Sequence, residues 1–211
     1  KGLIAAEDSA QQPSAEAARM FVSFFPRHSA FTQLCLCHVG NWQTALAHLS
    51  DLPVRVHALM HYEEEAVAKH YFDFRPEGCP FQIIRNDGFL GGMVEATAAL
   101  QKGEWVTIMG DRLTKGPAVH VELLGRTVRL PAAAYILAAK TQTRIAVLLA
   151  AKTGRQRYRL QVWDMFLPAY RDRSTREQDL AAAAGRFALD LEEYLQTYPY
   201  QWFNFYDFWS Q

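Results

Sequence analysis

No Gly-x-Ser-x-Gly string occurs anywhere in the 211 residues, so they offer no strand-turn-helix elbow on which a hydrolase serine could sit. No apolar run reaches the roughly 18 residues a spanning helix needs, and no basic segment followed by an apolar core marks a secretory signal. Neither sign of charge is in excess: Lys+Arg and Asp+Glu both number 22, which gives no general pull toward nucleic acid. Cysteine is scarce and odd in number, at positions 35, 37 and 79. Two of the three share one apolar stretch, a pattern that suits a reducing compartment better than a disulfide framework. These absences describe a soluble, cytosolic domain. The chain opens on Lys1 rather than a methionine, which reads as a piece of a longer protein whose earlier part, an anchor included, is out of view.

What is present is a chain that is 50% apolar, enough for one domain over residues 1–211 with a full core. Residues 1–13 are small and polar and read as a loose end. Beyond them, helical spacing after Ser14 leads into FTQLCLC (31–37), NWQTALAHL, LPVRVHALM (52–60) and EEEAVAKHYFDF. FQIIRN (81–86), FLGGMVEATAAL, EWVTIMG (104–110), VHVELLG, AAAYILAAK and RIAVLLAA follow. Strand-length apolar runs thus alternate with helical patterns across short links, which predicts an α/β fold with a mostly parallel sheet flanked by helices. KTGR (152–155) and QRYRLQVWDMF predict a C-terminal antiparallel hairpin. Residues 179–198 predict a long amphipathic helix, and 198–209 hold eight aromatics in twelve residues.

In such sheets chemistry lies beyond the carboxyl ends of the strands. Two strand ends carry polar residues: His38, followed by Gly40, Asn41, Trp42 and Gln43, and Gly-Asp-Arg at 110–112. They are candidates for one shared site. A histidine at a strand end can act as general base if a partner fixes its other nitrogen. Gly40 would let a substrate or neighbouring backbone approach closely, Asn41 would cap the helix, and Trp42 would wall a pocket. A bland alternative stands beside this: a histidine satisfied by nearby backbone.

The string HVGNWQTA resembles the first motif of the lysophospholipid-acyltransferase-like superfamily, in its bacterial lipid A biosynthesis branch, which carries histidine, four residues, then an acid. LQKGEWVTIMGDR (100–112), VELLGRTVRLPAAAYILAAKTQTRIAVLL (121–149) and LEEYLQTYPYQWFNFYDFW (191–209) resemble later segments of that family in the same order. The resemblance covers roughly residues 30–209. It implies transfer of a fatty acyl group from an acyl carrier protein or coenzyme A thioester to a hydroxyl or amine of a lipid or glycolipid acceptor. The thioester is a co-substrate; no resident cofactor or metal is implied, and no nucleic acid. It also implies peripheral contact with the cytoplasmic face of a bacterial inner membrane. His38 would be the base, and Arg112 with backbone N–H groups near Gly110 would face the oxyanion. Gly40, Asn41, Trp42, Gly110, Gly125, Arg126 and Arg157 would meet substrate.

The sequence departs from the family at the motif acid, where Gln43 stands. Glutamine can accept from an imidazole N–H but carries no charge to stabilise an imidazolium. Either another carboxylate serves, Asp111 being the nearest by motif, or turnover is slow, or catalysis is lost and the protein is a carrier- or lipid-binding subunit of a lipid-assembly complex.

Three further features have two readings each. Arg155, Arg157 and Arg159 alternate along the hairpin's return strand, facing either phosphates and head groups or plain solvent from an edge strand. The aromatic tail lies against a bilayer, closes an acyl pocket, or packs on the core. CLCH (35–38) lacks a second ligand pair and reads as structural rather than metal-binding, and the acids of HYEEEAVAKH (61–70) read as a solvated helix face.

Overall fold

A computed structural model of the chain describes residues 3–6, 32–42, 54–61, 81–87, 89–113, 116–155, 157–169 and 171–210. The helical patterns expected after Ser14, after Trp42 and over the 63–74 region lie outside those residues, as does Gln43.

Among the described residues the main sheet has seven strands in the order β1-β9-β8-β2-β5-β3-β4. These are β1 (Leu3–Ala6), β2 (Thr32–Leu36), β3 (Val56–Met60), β4 (Gln82–Arg85), β5 (Trp105–Met109), β8 (Arg144–Lys152) and β9 (Tyr158–Phe166). The five from β8 to β4 run parallel. β9 returns antiparallel along β8, as the hairpin pattern predicted. Central strands that are covered on both faces lack alternation: β2 is buried throughout and β8 is buried from Ile145 to Ala151. Among the described residues three α-helices accompany the sheet: α1 (Met93–Gln101), α2 (Ala133–Thr141) and α3 (Arg176–Thr197). The expected α/β class and mostly parallel sheet are what the chain adopts.

Two details differ from the sequence reading. Leu3–Ala6, in the segment expected to be loose, pairs antiparallel with β9, so β9 is not an edge. VHVELLG does not join the main sheet. It forms β6 (Ala118–Leu123), which pairs with β7 (Arg126–Pro131) in a separate two-stranded ribbon. Leu124 and Gly125 make its two-residue turn, both at positive φ (52° and 72°), the backbone a tight right-twisted hairpin requires. The ribbon alternates: Val119, Val121, Leu123, Val128 and Leu130 are buried, while His120, Glu122, Thr127 and Arg129 face outward.

The ribbon, α2, α3 and one face of the sheet enclose the larger core. α3 contributes a stripe at helical spacing, with Leu180, Ala184, Phe187, Leu191 and Tyr194 buried, and Tyr194 Oη donates to Ala150 O at 2.9 Å. Cys35 and Cys37 point into this core and are free thiols. Burial pushes both thiols well above their usual range. Since the thiolate is the reactive form, iodoacetamide at pH 8 should leave both unmodified in the native protein and alkylate both after denaturation, as read by peptide mass spectrometry. Among the described residues no helix is long and apolar enough to cross a membrane.

Candidate active site

The site follows from strand register. β2 and β5 are parallel neighbours with Leu36 opposite Met109. Two residues further along each strand, His38 and Asp111 emerge side by side at the carboxyl edge, although 73 positions separate them in sequence. The Gly110 N–H donates to Leu36 O at 2.8 Å and carries the pairing past the formal strand ends. A Cβ at Gly110 would lie 2.5 Å from Cys35 Sγ and 3.0 Å from Phe187 Cζ. The N–H expected near an oxyanion is therefore engaged, and the glycine makes room for the core.

His38 Nδ1 lies 2.9 Å from Asp111 Oδ1. The other carboxylate oxygen accepts the His38 backbone N–H at 3.0 Å and the Trp202 indole N–H at 3.1 Å. Asp111 is fully buried and the His38 side chain is 16% exposed. Burial by itself would raise the Asp111 pKa. The hydrogen bond and charge of His38, with the thiol of Cys37 and the His38 N–H, outweigh burial and hold the carboxyl below its usual value. An ionised carboxylate only accepts, so Nδ1 carries a proton, and in the neutral ring the lone pair is left on Nε2. Trp42 packs edge-on against the imidazole, with ring centroids 5.7 Å apart.

The same register argument separates this pair from a second one. His57 Nε2 meets Glu104 Oε2 at 2.6 Å, and Arg55 joins at 3.2 Å. That cluster sits at the amino ends of β3 and β5, the opposite edge of the sheet, where parallel α/β folds place stability rather than chemistry.

Two residues past His38 the chain begins to line an open cleft of about 680 Å³, formed by Gly40, Asn41, Lys152, Gly154, Tyr158, Gln201 and Phe203, with His38 itself outside that lining. Gly40 has φ +55°, and a Cβ there would fall 2.1 Å from Ala150 O, so the close approach it permits is to the backbone of β8. Residues 201–203 run antiparallel to the motif. Gly40 N–H donates to Gln201 O at 2.7 Å, Phe203 N–H donates to His38 O at 2.9 Å, and Val39 and Trp202 form the bridge between them. The Gln201 side chain pairs with both backbone groups of Lys152, at 2.8 and 2.9 Å. The tail's core contact is made by Phe208, with Tyr198, Trp202 and Trp209 packed partly buried against the core, while Tyr200 and Phe205 are 93% and 89% exposed.

The remaining expected site residues fall into two groups. Asn41 lines the cleft, and Arg157 stands beside it: a Cβ on the lining Gly154 would lie 3.5 Å from Arg157 Cβ. Arg112 instead reaches Phe203 O at 3.3 Å and lies 5.4 Å over the Tyr206 ring. Arg126 lies 4.9 Å over Trp209, next to the Gly125 turn. Both arginines thus hold the C-terminal segment, and no described contact joins Gly125 or Arg126 to His38. Trp202 and Gln201 were not singled out from sequence; their place in the quoted 191–209 segment was the available signal.

The model of the family described as bacterial lipid A biosynthesis acyltransferase matches residues 28–211. The chain belongs to that family. A comparison with curated proteins returned no match. Membership makes acyl transfer in lipid A biosynthesis the class of chemistry, with an acyl donor and a lipid acceptor in general terms. The matched range contains every described site residue and both halves of the His38–Asp111 pair.

The buried charge of this acyltransferase has a consequence for stability. Asp111 is held below its unfolded value, as is Asp179, which the forked Arg171 side chain meets at 2.6 and 3.0 Å. A lowered carboxyl contributes stability that is complete above the unfolded pKa of about 3.9 and is lost as pH falls through the folded value. Urea midpoints should therefore hold from pH 6 to about pH 5 and drop below about pH 4, and Asp111→Asn or Asp179→Asn should each flatten that fall.

Proposed function

We propose that the protein transfers a fatty acyl group from a carrier-protein or coenzyme A thioester to a hydroxyl or amine of a lipid or glycolipid acceptor, with His38 as general base. The observation that carries this reading is the 2.9 Å contact between His38 Nδ1 and the buried Asp111 carboxylate, at the carboxyl edge and beside an open cleft. Nε2 takes the acceptor proton as the acceptor oxygen or nitrogen attacks the thioester carbonyl. The tetrahedral oxyanion collapses, the carbon–sulfur bond breaks, and the departing thiolate receives the proton from the imidazolium. The imidazolium forms against a carboxylate that is already ionised, which lowers the barrier electrostatically.

Lys152 on the cleft wall, with Arg155 and Arg157 on the adjoining turn, gives that wall a positive rim. Phosphate is common to both thioester carriers and to lipid head groups, and this rim suits it. The exposed Tyr200, Phe203, Phe205 and Tyr206 support peripheral contact with the cytoplasmic face of the inner membrane, where amphipathic rings settle well.

Gln43 favours a second reading, a catalytically impaired subunit that binds carrier or lipid. Asp111 weakens it, because it supplies His38 with the charged partner that Gln43 lacks. The two are separated by incubating the protein with acyl carrier protein and coenzyme A thioesters and a bacterial lipid extract, followed by mass spectrometry. A new acyl-lipid formed only with acceptor supports transfer; binding of acyl carriers with no product from the wild type or from Gln43→Glu supports the subunit reading.

A further inference from the structure

We propose that Trp202 is a positioning residue for the reaction, acting through Asp111 on the tautomer of His38; this rests on His38 being the base. The carboxylate of Asp111 is held from both sides. Oδ1 faces the imidazole Nδ1 at 2.9 Å, and Oδ2 takes the His38 backbone N–H at 3.0 Å together with the Trp202 indole N–H at 3.1 Å. The indole donor comes from 91 residues away, out of the C-terminal segment, and two independent restraints aim it. Its backbone is fixed by the bridge to Val39, with hydrogen bonds on either side at Gly40 and His38. Its ring is fixed edge-on against Phe208, with centroids 4.7 Å apart.

The consequence is orientational. With both N–H groups on Oδ2, the carboxylate cannot rotate without breaking them, so Oδ1 stays an acceptor aimed at Nδ1. The imidazole is then kept as the Nδ1–H tautomer, with the lone pair on Nε2 where an acceptor hydroxyl or amine must be met. Among the described residues the groups around Asp111 are His38, Trp202, the buried thiol of Cys37 and, at longer range, Cys35; of these Trp202 is the donor that comes from the C-terminal segment. The residues 201–203 therefore act as a clasp. The same short strand that walls the cleft through Gln201 and Phe203 also sets the proton on the base. The expected effect is that of outer partners of functional histidines, about ten- to a hundredfold, on kcat rather than KM.

The test uses Trp202→Phe, which keeps an aromatic ring against Phe208 and removes the N–H. Trp209→Phe is the control, removing an indole N–H from the same segment, where Trp209 packs on Phe208 with ring centroids 5.5 Å apart, while leaving the Trp202 donor and the ring it rests on in place. Each is followed by steady-state kinetics and by long-range proton–nitrogen spectra of the His38 ring. The expected result is a kcat about tenfold or more lower in Trp202→Phe at near-constant KM, with the single Nδ1–H pattern of His38 replaced by a tautomer mixture, and neither change in Trp209→Phe. If Trp202→Phe does not fold, site-specific replacement of Trp202 by benzothienylalanine, an isostere with sulfur in place of N–H, is read the same way. An unchanged His38 pattern with unchanged kcat overturns the proposal, as do equal changes in both variants. A wild type that turns nothing over, yet shows the tautomer change in Trp202→Phe, sinks the catalytic reading and leaves the clasp standing.

Discussion

Asp111→Asn is expected to lower acyl transfer by about 10⁴-fold, the size of the loss when the aspartate of a serine-protease triad becomes asparagine. The reason is a reversal of hydrogen-bond sense. Two N–H donors, from His38 and Trp202, converge on Oδ2, so the asparagine oxygen must take that position. Its amide then faces His38 Nδ1, 2.9 Å away from where Oδ1 stood, and an amide only donates. The imidazole is driven to carry its proton on Nε2, the nitrogen that has to accept one. Binding of donor and acceptor involves neither Asp111 oxygen, so KM should change little. Single-turnover rates with a thioester donor and lipid acceptor check this. Loss of less than about tenfold would mean that Asp111 orients nothing.

Gly40→Ala is expected to destabilise the protein by about 3 kcal/mol or more, lowering Tm by roughly 6–12 °C on the scale for domains of this size. Two effects combine. At φ +55° an alanine is strained, and its Cβ would fall 2.1 Å from Ala150 O, 2.7 Å from Ala150 C and 3.0 Å from Ala151 Cα. All three are backbone atoms of a central strand and have no rotamer by which to yield. The motif backbone must move instead, and that breaks the 2.7 Å hydrogen bond from Gly40 to Gln201 and shifts His38 with it. Activity should fall further than the stability loss alone accounts for, a comparison made at a temperature where both proteins are fully folded. A variant with wild-type Tm would contradict the close approach to β8.

The parts of the fold that were legible in the sequence were those set by local pattern. The buried strands β2, β5 and β8 are apolar runs of the right length, and α3 shows its stripe directly, beginning at Arg176 rather than 179. β7 was missed because Arg126, Thr127 and Arg129 lie on its exposed face, and the sequence between Gly125 and Pro131 reads as a polar link. The pairing of β1 along β9 was missed because four residues, Leu3–Ala6, inside an otherwise small and polar stretch carry little signal of their own.

The site divides in the same way. His38 and Asp111 were visible as polar residues at strand ends, but their contact depends on β2 and β5 being neighbours, and strand order is a property of the whole sheet. Gly40 was visible as a glycine, while the atom that requires it, Ala150 O, is 110 positions away. Trp202 was marked only by its place in the quoted C-terminal segment, and its contact with Asp111 depends on the bridge to Val39. Arg112, expected at the oxyanion, and Arg126, expected to meet substrate, were legible as cations, while the rings and the carbonyl of the C-terminal segment that they contact are set by the tertiary fold.

The account turns on His38 as the base, and His38→Ala measures that most directly. Acyl-lipid formation from a thioester donor should fall by about 10²–10⁴-fold while thioester binding is kept, both read at a temperature where the variant is folded, since loss of the imidazole leaves the buried Asp111 carboxylate without that partner and lowers Tm. A His38→Ala protein that forms acyl-lipid at the wild-type rate would contradict the account.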